Sequence, residues 1–152
     1  MPRRVIVMRH AKSSWSDPSL SDHDRPLNKR GIRDAPRVAD EICNRGWKPE
    51  LILLSSSTRT KQTLELMSQR WGNVPSEIRP GIYHASVHDL LIELNDAIDD
   101  GTTMILGHNP GSEMLINHFT GELHVMPTAA AALLEEREGS WGVEDVIRPK
   151  NI

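Results

Sequence analysis

Three short apolar runs, each followed by a polar turn and a segment with helical periodicity, constrain the fold of this chain most. The runs lie within residues 4–8, 51–54 and 103–106. Apolar runs of this length without alternation are typical of strands buried on both faces of a parallel sheet. Strands that alternate with helices form βαβ units. We therefore predict an α/β fold, namely a three-layer α/β/α sandwich with a mainly parallel central sheet.

The first helix is expected to start after Asn28, a residue type that caps helix N-termini, and to end at Gly46. Its apolar positions recur at helical spacing and are Ile32, Ala35, Ala39 and Ile42. Pro36 lies inside this segment and should kink the helix or reset its start. Three further helices are predicted over residues 59–71, 90–98 and 112–119.

The remaining elements have weaker signals. Ser86 and Asp89 form a capping-box pattern before the third helix, and Gly101 is expected to end that helix. Residues 78–83 are predicted to form a short strand. The alanines of residues 128–136 favour a helix, but the sheet needs further strands, and we predict a strand there.

Length and composition limit the class of protein. The chain has 152 residues without an internal repeat or linker, so we expect one domain over residues 1–152, without a cap domain. A formal net charge of -3 and the lack of a long basic block argue against nucleic acid as a partner. No apolar run is long enough for a signal peptide or a membrane span, so we expect a cytoplasmic protein. The single cysteine, Cys43, is expected in the core.

Titratable side chains follow the three predicted strands. Arg9 and His10 come after the first, Arg59 after the second, and His108 with Asn109 after the third. The carboxyl ends of parallel strands lie along one edge of a sheet, so these groups can meet in one crevice. Guanidinium groups pair with phosphoryl oxygens, and the N-terminus of the helix after the second strand adds backbone donors. The pattern therefore predicts a phosphoryl-binding site.

Histidine in such a site can itself be the nucleophile, because it can accept a phosphoryl group that water then removes. Nearby arginines would depress the pKa of His10 and keep one ring nitrogen unprotonated. The two residue types therefore suit the two tasks of attack and anion binding.

The ordered motifs resemble the histidine phosphatase superfamily, whose members share Arg-His-Gly after the first strand, a Ser-x-x-x-Arg-x-x-x-Thr segment and a late strand ending in His. The matching segments here are Arg9-His10-Ala11, Ser55–Thr63 and Leu106-Gly107-His108. The chain is similar to the SixA-type phosphohistidine phosphatase branch in its Arg25-Pro26-Leu27, Gly31, Gly-His-Asn-Pro-Gly and Met126-Pro127-Thr128. The resemblance covers nearly the whole chain and implies a phosphoglycerate mutase-like fold.

The resemblance implies a role for each matching residue. His10 would be the phosphorylated nucleophile, while Arg9, Arg59 and His108 would hold the phosphoryl group. Ser16 lies six residues past His10, where mutase-like relatives often have an Asn that contacts phosphate, and is a further candidate. Asn109, directly after His108, is a candidate substrate-binding residue.

The general acid that many relatives supply as a Glu has no clear counterpart here. His84 is a candidate donor and substrate-binding residue, Glu77 lies upstream of it, and Asp22 and Asp24 are expected to be loop carboxylates outside the site. An imidazole leaving group needs less protonation than an alkoxide. The missing acid therefore favours phosphohistidine over phosphate esters.

We predict a metal-independent phosphohydrolase without a cofactor, acting through phospho-His10 on protein phosphohistidine such as that of a histidine phosphotransfer domain. A phosphatase of small phosphorylated metabolites is the alternative enzyme. A phosphate-binding or interaction module without turnover is the alternative from another class, because Ala11 replaces the signature Gly. The seven histidines show no spacing typical of metal ligands.

Overall fold

The computed structural model describes residues 2–152. Within that range six strands form one sheet: β1 (Arg4–Arg9), β2 (Leu51–Leu54), β3 (Ser76–Ile78), β4 (Thr102–Gly107), β5 (Ala131–Arg137) and β6 (Ser140–Ile147). Their order is β3-β2-β4-β1-β5-β6. Neighbours from β3 to β1 are parallel, whereas β5 and β6 are antiparallel to their neighbours. The predicted mainly parallel sheet is confirmed.

Helices cover both faces of this sheet and complete the predicted three layers. They are α1 (Lys29–Asn44), α2 (Thr58–Trp71), α3 (Val87–Glu93) and α4 (Gly111–Thr120). Side chains of β1 alternate between two cores. Ile6 and Met8 pack in the core under α1 and α2, whereas Val5 and Val7 pack in the core under α3 and α4. Among residues 2–152, no helix is long and apolar enough to cross a membrane.

Two of the predicted element boundaries are wrong. Residues 78–83 do not form a strand, because β3 ends at Ile78 and Pro80–Ile82 form a 3-10 helix. Proline lacks the N–H that a continuing ladder would need. Helix α3 ends at Glu93 rather than near Gly101, since the Ile98 N–H donates to Thr103 Oγ1 at 2.9 Å and not to a helical carbonyl.

Helix α1 starts after Asn28 as predicted, and the Asn28 side chain caps it by accepting from the Gly31 N–H. Pro36 does not reset its start, because the helix is continuous from Lys29 to Asn44. The face that α1 buries differs from the prediction at two positions. Ile32 is 51% exposed, and Cys43 is exposed rather than in the core, because both lie beside the buried stripe of α1.

The C-terminal part of the chain adds an antiparallel hairpin. The strand predicted over residues 128–136 is present as β5, and β6 returns along it through a two-residue turn at Glu138 and Gly139. Both turn residues have positive φ, at 53° and 81°, as tight hairpins require. The hairpin extends the sheet beyond β1 and gives the segment after Glu136 a structural role.

The register of the central strands positions the candidate site. Arg9 at the end of β1 pairs with Gly107 of β4, and Leu54 at the end of β2 pairs with Leu106 of the same strand. The three strands therefore finish side by side. The His10 N–H donates to the Gly107 carbonyl at 3.0 Å, which fixes the backbone of the first residue beyond β1.

Candidate active site

The structure brings the four best-supported sequence candidates into one cleft of about 280 Å³ at the carboxyl ends of β1, β2 and β4. The lining residues are Arg9, His10, Lys12, Ser13, Trp15, Asp22, Arg25, Arg59, His84, His108, Asn109 and Thr128. His10, Arg59 and His108 are buried, with exposed fractions of 6%, 4% and 9%. Their burial strengthens the electrostatic interactions among them.

The hydrogen bonds of His10 determine which ring nitrogen is available for reaction. Nδ1 lies 2.6 Å from the Ala11 carbonyl oxygen, which can only accept, so Nδ1 carries the proton. In the neutral ring Nε2 then holds a lone pair. The Arg59 Nε–H points to this lone pair at 3.4 Å. The ring nitrogen beside Arg59 is thus the unprotonated one, as attack on an electrophile would require.

The pKa of His10 is lowered to about 4, mainly by burial of the ring and in part by repulsion of the imidazolium by Arg59, Arg9 and Arg25. The sequence predicted a depressed pKa from the arginines alone. The larger cause is desolvation of the ring, which a sequence does not show. His10 is therefore neutral at physiological pH.

Arg59 connects the two histidines. It donates from Nη2 to Nδ1 of His108 at 3.4 Å, and Nε2 of His108 lies 2.8 Å from the Ser55 hydroxyl. Since Nδ1 accepts, the His108 proton is on Nε2. The pKa of His108 is lowered to about 3, mainly by burial and in part by His10 and Arg59.

The residues of the Ser-x-x-x-Arg-x-x-x-Thr segment each hold part of this network. Ser55 orients His108, and Arg59 contacts both imidazoles. The Thr63 hydroxyl donates to the Arg59 carbonyl at 2.7 Å and accepts from the Ala11 N–H at 3.1 Å. Ala11 is fully buried in the core under α1 and α2, so its methyl group is accommodated in place of the signature Gly.

Arg9 and Asn109 are joined at the other side of the cleft. Arg9 Nη1 and Asn109 Nδ2 both donate to the Met126 carbonyl, at 3.1 and 2.9 Å. Glu113 accepts from Asn109 and from the Met126 N–H, each at 2.8 Å. Among residues 2–152, the buried Arg9 Nε has no hydrogen-bond partner.

Asp22, which the sequence placed outside the site, lies in the cleft. Its carboxylate accepts from Arg59 Nη2 at 3.0 Å, from Arg25 Nη2 at 3.0 Å and from the Tyr83 hydroxyl at 2.5 Å. The Tyr83 hydrogen bond and the two arginines hold the pKa of Asp22 well below its usual range. Asp22 is therefore an ionised carboxylate beside Arg59 in the cleft.

Arg25 and Trp15 form the outer wall of the cleft and were not predicted as site residues. Arg25 is buried and donates to the Ser13 hydroxyl at 2.8 Å. Its guanidinium lies 3.5 Å from the centre of the Trp15 ring. Trp15 is nevertheless 73% exposed. Arg25 covers one face of the indole and fixes its orientation, so the rest of the ring is accessible.

The two weaker sequence candidates differ in position. Ser16 is exposed, its hydroxyl bonds to that of Ser14 at 2.8 Å, and it does not line the cleft. Its position gives no support to phosphate binding. His84 does line the cleft, stacks on Tyr83 with ring centres 3.9 Å apart, and has Nε2 3.5 Å from Asp22 Oδ2.

The motif spacing identified the groups that follow the strands, but not those of the loop between β1 and α1. Asp22, Arg25 and Trp15 belong to this loop, and the Arg25-Pro26-Leu27 motif was its one sequence signal. Within residues 2–152, no group of three or more His, Cys, Asp or Glu side chains is arranged to hold a metal ion.

Comparison with known proteins gives matches that agree with this geometry. The model of the histidine phosphatase superfamily (branch 1) matches residues 5–90. An uncharacterised chloroplastic protein of Arabidopsis thaliana is 39% identical over 150 residues, which cover 91% of this chain and 69% of that protein. The family predicted from the motifs is thus confirmed.

Solved structures agree on the fold. One described as the phosphohistidine phosphatase SixA from Agrobacterium tumefaciens has a TM-score of 0.88 at 30% identity, over 98% of this chain and 99% of that chain. A protein histidine phosphatase SixA complexed with tungstate has a TM-score of 0.85 at 22% identity, over 97% and 98%. The predicted phosphoglycerate mutase-like fold is confirmed.

Proposed function

The chain belongs to the histidine phosphatase superfamily, and we propose that it is a phosphohydrolase that acts through a covalent phosphohistidine on His10, with protein phosphohistidine as its substrate. The observation that carries the proposal is the unprotonated Nε2 of His10, which lies 3.4 Å from Arg59 Nε in the cleft. A nucleophile and an anion-binding donor are thus adjacent. The likeness to a SixA structure at 30% identity supports the choice of substrate.

In the first step the Nε2 lone pair of His10 attacks phosphorus, and the bond from phosphorus to the substrate nitrogen breaks. Arg9, Arg59 and His108 stabilise the charge on the three equatorial oxygens, which is the main task in phosphoryl transfer. The negative phosphoryl group also favours the protonated form of His108, because an opposite charge raises a histidine pKa. His108 then adds a donor to the cleft.

The leaving group explains how the reaction proceeds without a dedicated acid. The electron pair of the broken P–N bond stays on the substrate imidazole, whose other ring nitrogen can take a proton from solvent. The ring then departs as neutral imidazole. Asp22 is ionised and does not supply this proton.

In the second step water attacks phospho-His10, the new P–O bond forms, and the bond to Nε2 breaks. The proton of this water passes to a phosphoryl oxygen or to solvent, because the low pKa of Asp22 makes its carboxylate a weak base. The products are inorganic phosphate and regenerated His10.

The accessible ring of Trp15 also favours an aromatic leaving group. An imidazole can stack on an indole, a contact worth about 0.5–1.5 kcal/mol beyond its buried area. Trp15 lies on the wall of the cleft with its orientation fixed by Arg25. The wall therefore distinguishes a phosphorylated ring from a phosphorylated alkyl chain.

The substrate histidine belongs to a folded protein because the cleft is open to large partners. Only the short β3, two 3-10 helices and α3 lie between α2 and β4. We propose that the chain is a single histidine phosphatase domain without a cap. A small substrate would then have few groups to enclose it.

The test is hydrolysis of a phosphorylated histidine phosphotransfer domain beside a panel of sugar and glycerate phosphates. We expect turnover of the phosphoprotein, acid-labile phosphate trapped on the enzyme, and loss of both in a folded His10→Gln variant. Turnover confined to the metabolites would reject the substrate choice. If the protein binds phosphate but turns over none of these substrates, the alternative of a non-catalytic phosphate-binding or interaction module is favoured. EDTA should leave the rate unchanged.

A further inference from the structure

A second concave surface lies beside the cleft and has no part in the chemistry proposed above. We call it the basic groove. It has a volume of about 790 Å³ and is lined by Arg30, Leu123, His124, Val125, Pro127, Arg148, Lys150 and Asn151. A neighbouring depression of about 400 Å³ shares Arg30 and Lys150 and adds Arg33, Asp34, Arg37, Pro149 and Ile152. The two depressions form one continuous surface, and the name basic groove covers both.

The basic groove concentrates positive charge in a chain whose net charge is -3. Its cations are Arg30, Arg33, Arg37, Arg148 and Lys150. The carboxylate of Asp34 lies among three of them but is itself 1% exposed, so it orients the arginines from below. Arg30 and Arg33 remain 53% and 63% exposed. With five cations against the single carboxylate side chain of Asp34, the lining of this surface has a net positive charge.

Exposed apolar side chains lie among these cations. Leu123 is 86% exposed and Val125 is 72% exposed. Arg148 donates from Nε and Nη2 to the Val125 carbonyl, at 3.1 and 2.9 Å, which holds the apolar strip against the basic one. A surface that combines arginines with exposed apolar groups is typical of a protein interface.

The basic groove adjoins the cleft along two backbone segments. Pro127 of the groove is followed by Thr128 of the cleft. On the other side, Arg30 precedes Gly31, whose Cα packs so tightly against Lys12 that an added Cβ would lie 2.3 Å from the Lys12 carbonyl oxygen. Lys12 also lines the cleft. A partner that inserts a side chain into the cleft would thus lie close to the groove.

We propose that the basic groove binds an acidic surface of the phosphoprotein whose phosphohistidine enters the cleft, an inference that rests on the proposed function. Complementary charge would increase the association rate and select among phosphohistidine proteins. A protein is favoured over nucleic acid or a lipid surface because the groove intersperses apolar side chains with a limited set of cations.

The test uses two extended synthetic peptides that carry a non-hydrolysable phosphohistidine analogue, one flanked by glutamates and one by glutamines. The test variant is Arg30→Gln with Lys150→Gln, which removes the two cations shared by both depressions. The control is Lys48→Gln with Arg70→Gln. Both cations are exposed: Lys48 lies shortly before β2, Arg70 lies in the last turn of α2, and neither lines the cleft. Both variants change the net charge equally.

The wild type and the control should bind the glutamate peptide about tenfold more tightly than the glutamine peptide, and the test variant should lose most of this difference. Added salt should reduce the difference in the wild type. Equal binding of both peptides by the wild type would overturn the proposal. Binding of oligothymidylate or phosphatidylserine vesicles more tightly than the glutamate peptide would also overturn it.

A separate measurement distinguishes failure of the groove from failure of the proposed function. Each protein is assayed for hydrolysis of the same peptides carrying authentic phosphohistidine. If nothing is hydrolysed but the wild type still prefers glutamate flanks and the test variant does not, the phosphatase proposal fails and the groove stands. If hydrolysis occurs at equal kcat/KM for both flanks, the groove fails and the phosphatase stands.

Discussion

Acidification should leave His10 neutral well below the pH at which an ordinary histidine is protonated. Burial and the nearby arginines lower its pKa from 6.5 to about 4. This difference corresponds to about 3 kcal/mol, at about 1.4 kcal/mol for each pKa unit. At pH 5.5 an unperturbed imidazole would be about one-tenth neutral, whereas His10 should be almost entirely neutral.

The assay is an NMR titration of the protein labelled with ¹⁵N in its histidines, with the His10 signals assigned by their loss in His10→Gln. The ring should show a protonated Nδ1 and an unprotonated Nε2 at pH 7, because Nδ1 donates to the Ala11 carbonyl. A midpoint near 6.5, or a proton on Nε2, would refute the account of the nucleophile.

The same pKa difference makes stability depend on pH. Between about pH 4 and 6.5 the unfolded state binds more protons at His10 than the folded state does. The contribution of His10 to the free energy of unfolding is therefore complete above pH 6.5 and is lost as the pH falls towards 4. Urea unfolding at pH 7 and pH 4.5 should show a loss about 2–3 kcal/mol larger for the wild type than for His10→Gln. An equal loss in both proteins would contradict this assignment.

Three substitutions test other parts of the site. Arg59→Gln should lower kcat/KM for phosphohistidine by about 10²–10³, because it removes donors to the transferring group. Trp15→Ala should raise KM for phenyl phosphate and phosphohistidine about threefold to tenfold while leaving KM for glycerol phosphate unchanged, because only the aromatic groups can stack. Gly31→Ala should reduce the free energy of urea unfolding by about 1–3 kcal/mol, because its Cβ would lie 2.3 Å from the Lys12 carbonyl oxygen.

Each substitution has a matched control. Arg70→Gln removes an exposed arginine from the same helix as Arg59 and should leave kcat/KM unchanged. Gly142→Ala places a Cβ in open space and should not destabilise the protein as Gly31→Ala does. An equal effect of Trp15→Ala on KM for glycerol phosphate would reject stacking and indicate a general change in the cleft. Full activity of Arg59→Gln would reject the role of this arginine.

The sequence was informative where function depends on the ends of buried strands. Three apolar runs indicated the strands, and parallel pairing then implied that His10, Arg59 and His108 would lie close together. The proximity of these three residues can be predicted from the strand order and the spacing of the motifs alone. The tautomer of His10 depends on a 2.6 Å contact with the next residue in the chain, which spacing does not reveal.

The loop between β1 and α1 was beyond sequence reasoning because tertiary contacts determine its path. The Ser14 N–H donates to the Pro26 carbonyl at 2.8 Å, and the Leu27 N–H donates to Gln62 at 2.8 Å. These bonds fold the loop back over the strand end and place Asp22 on Arg59. The β5–β6 hairpin was not predicted either, because its Glu138-Gly139 turn lacks the Asn-Gly or Asp-Gly pair that marks tight hairpins in a sequence.

The carboxylate of Asp22 on Arg59 bears on how a phosphate product would leave. Arg59 Nη1 donates to the Asp22 carbonyl at 2.6 Å, and Nη2 donates to the Asp22 side chain at 3.0 Å. After phosphate departs, the Arg59 guanidinium would still have an anionic neighbour, because Asp22 lies beside it as a counter-ion. A bound phosphate would compete with Asp22 for the donors of Arg59, which would lower the net affinity of the cleft for phosphate. Under the proposed function, the cleft would thus combine positive charge with ready release of the product, a balance that repeated turnover requires.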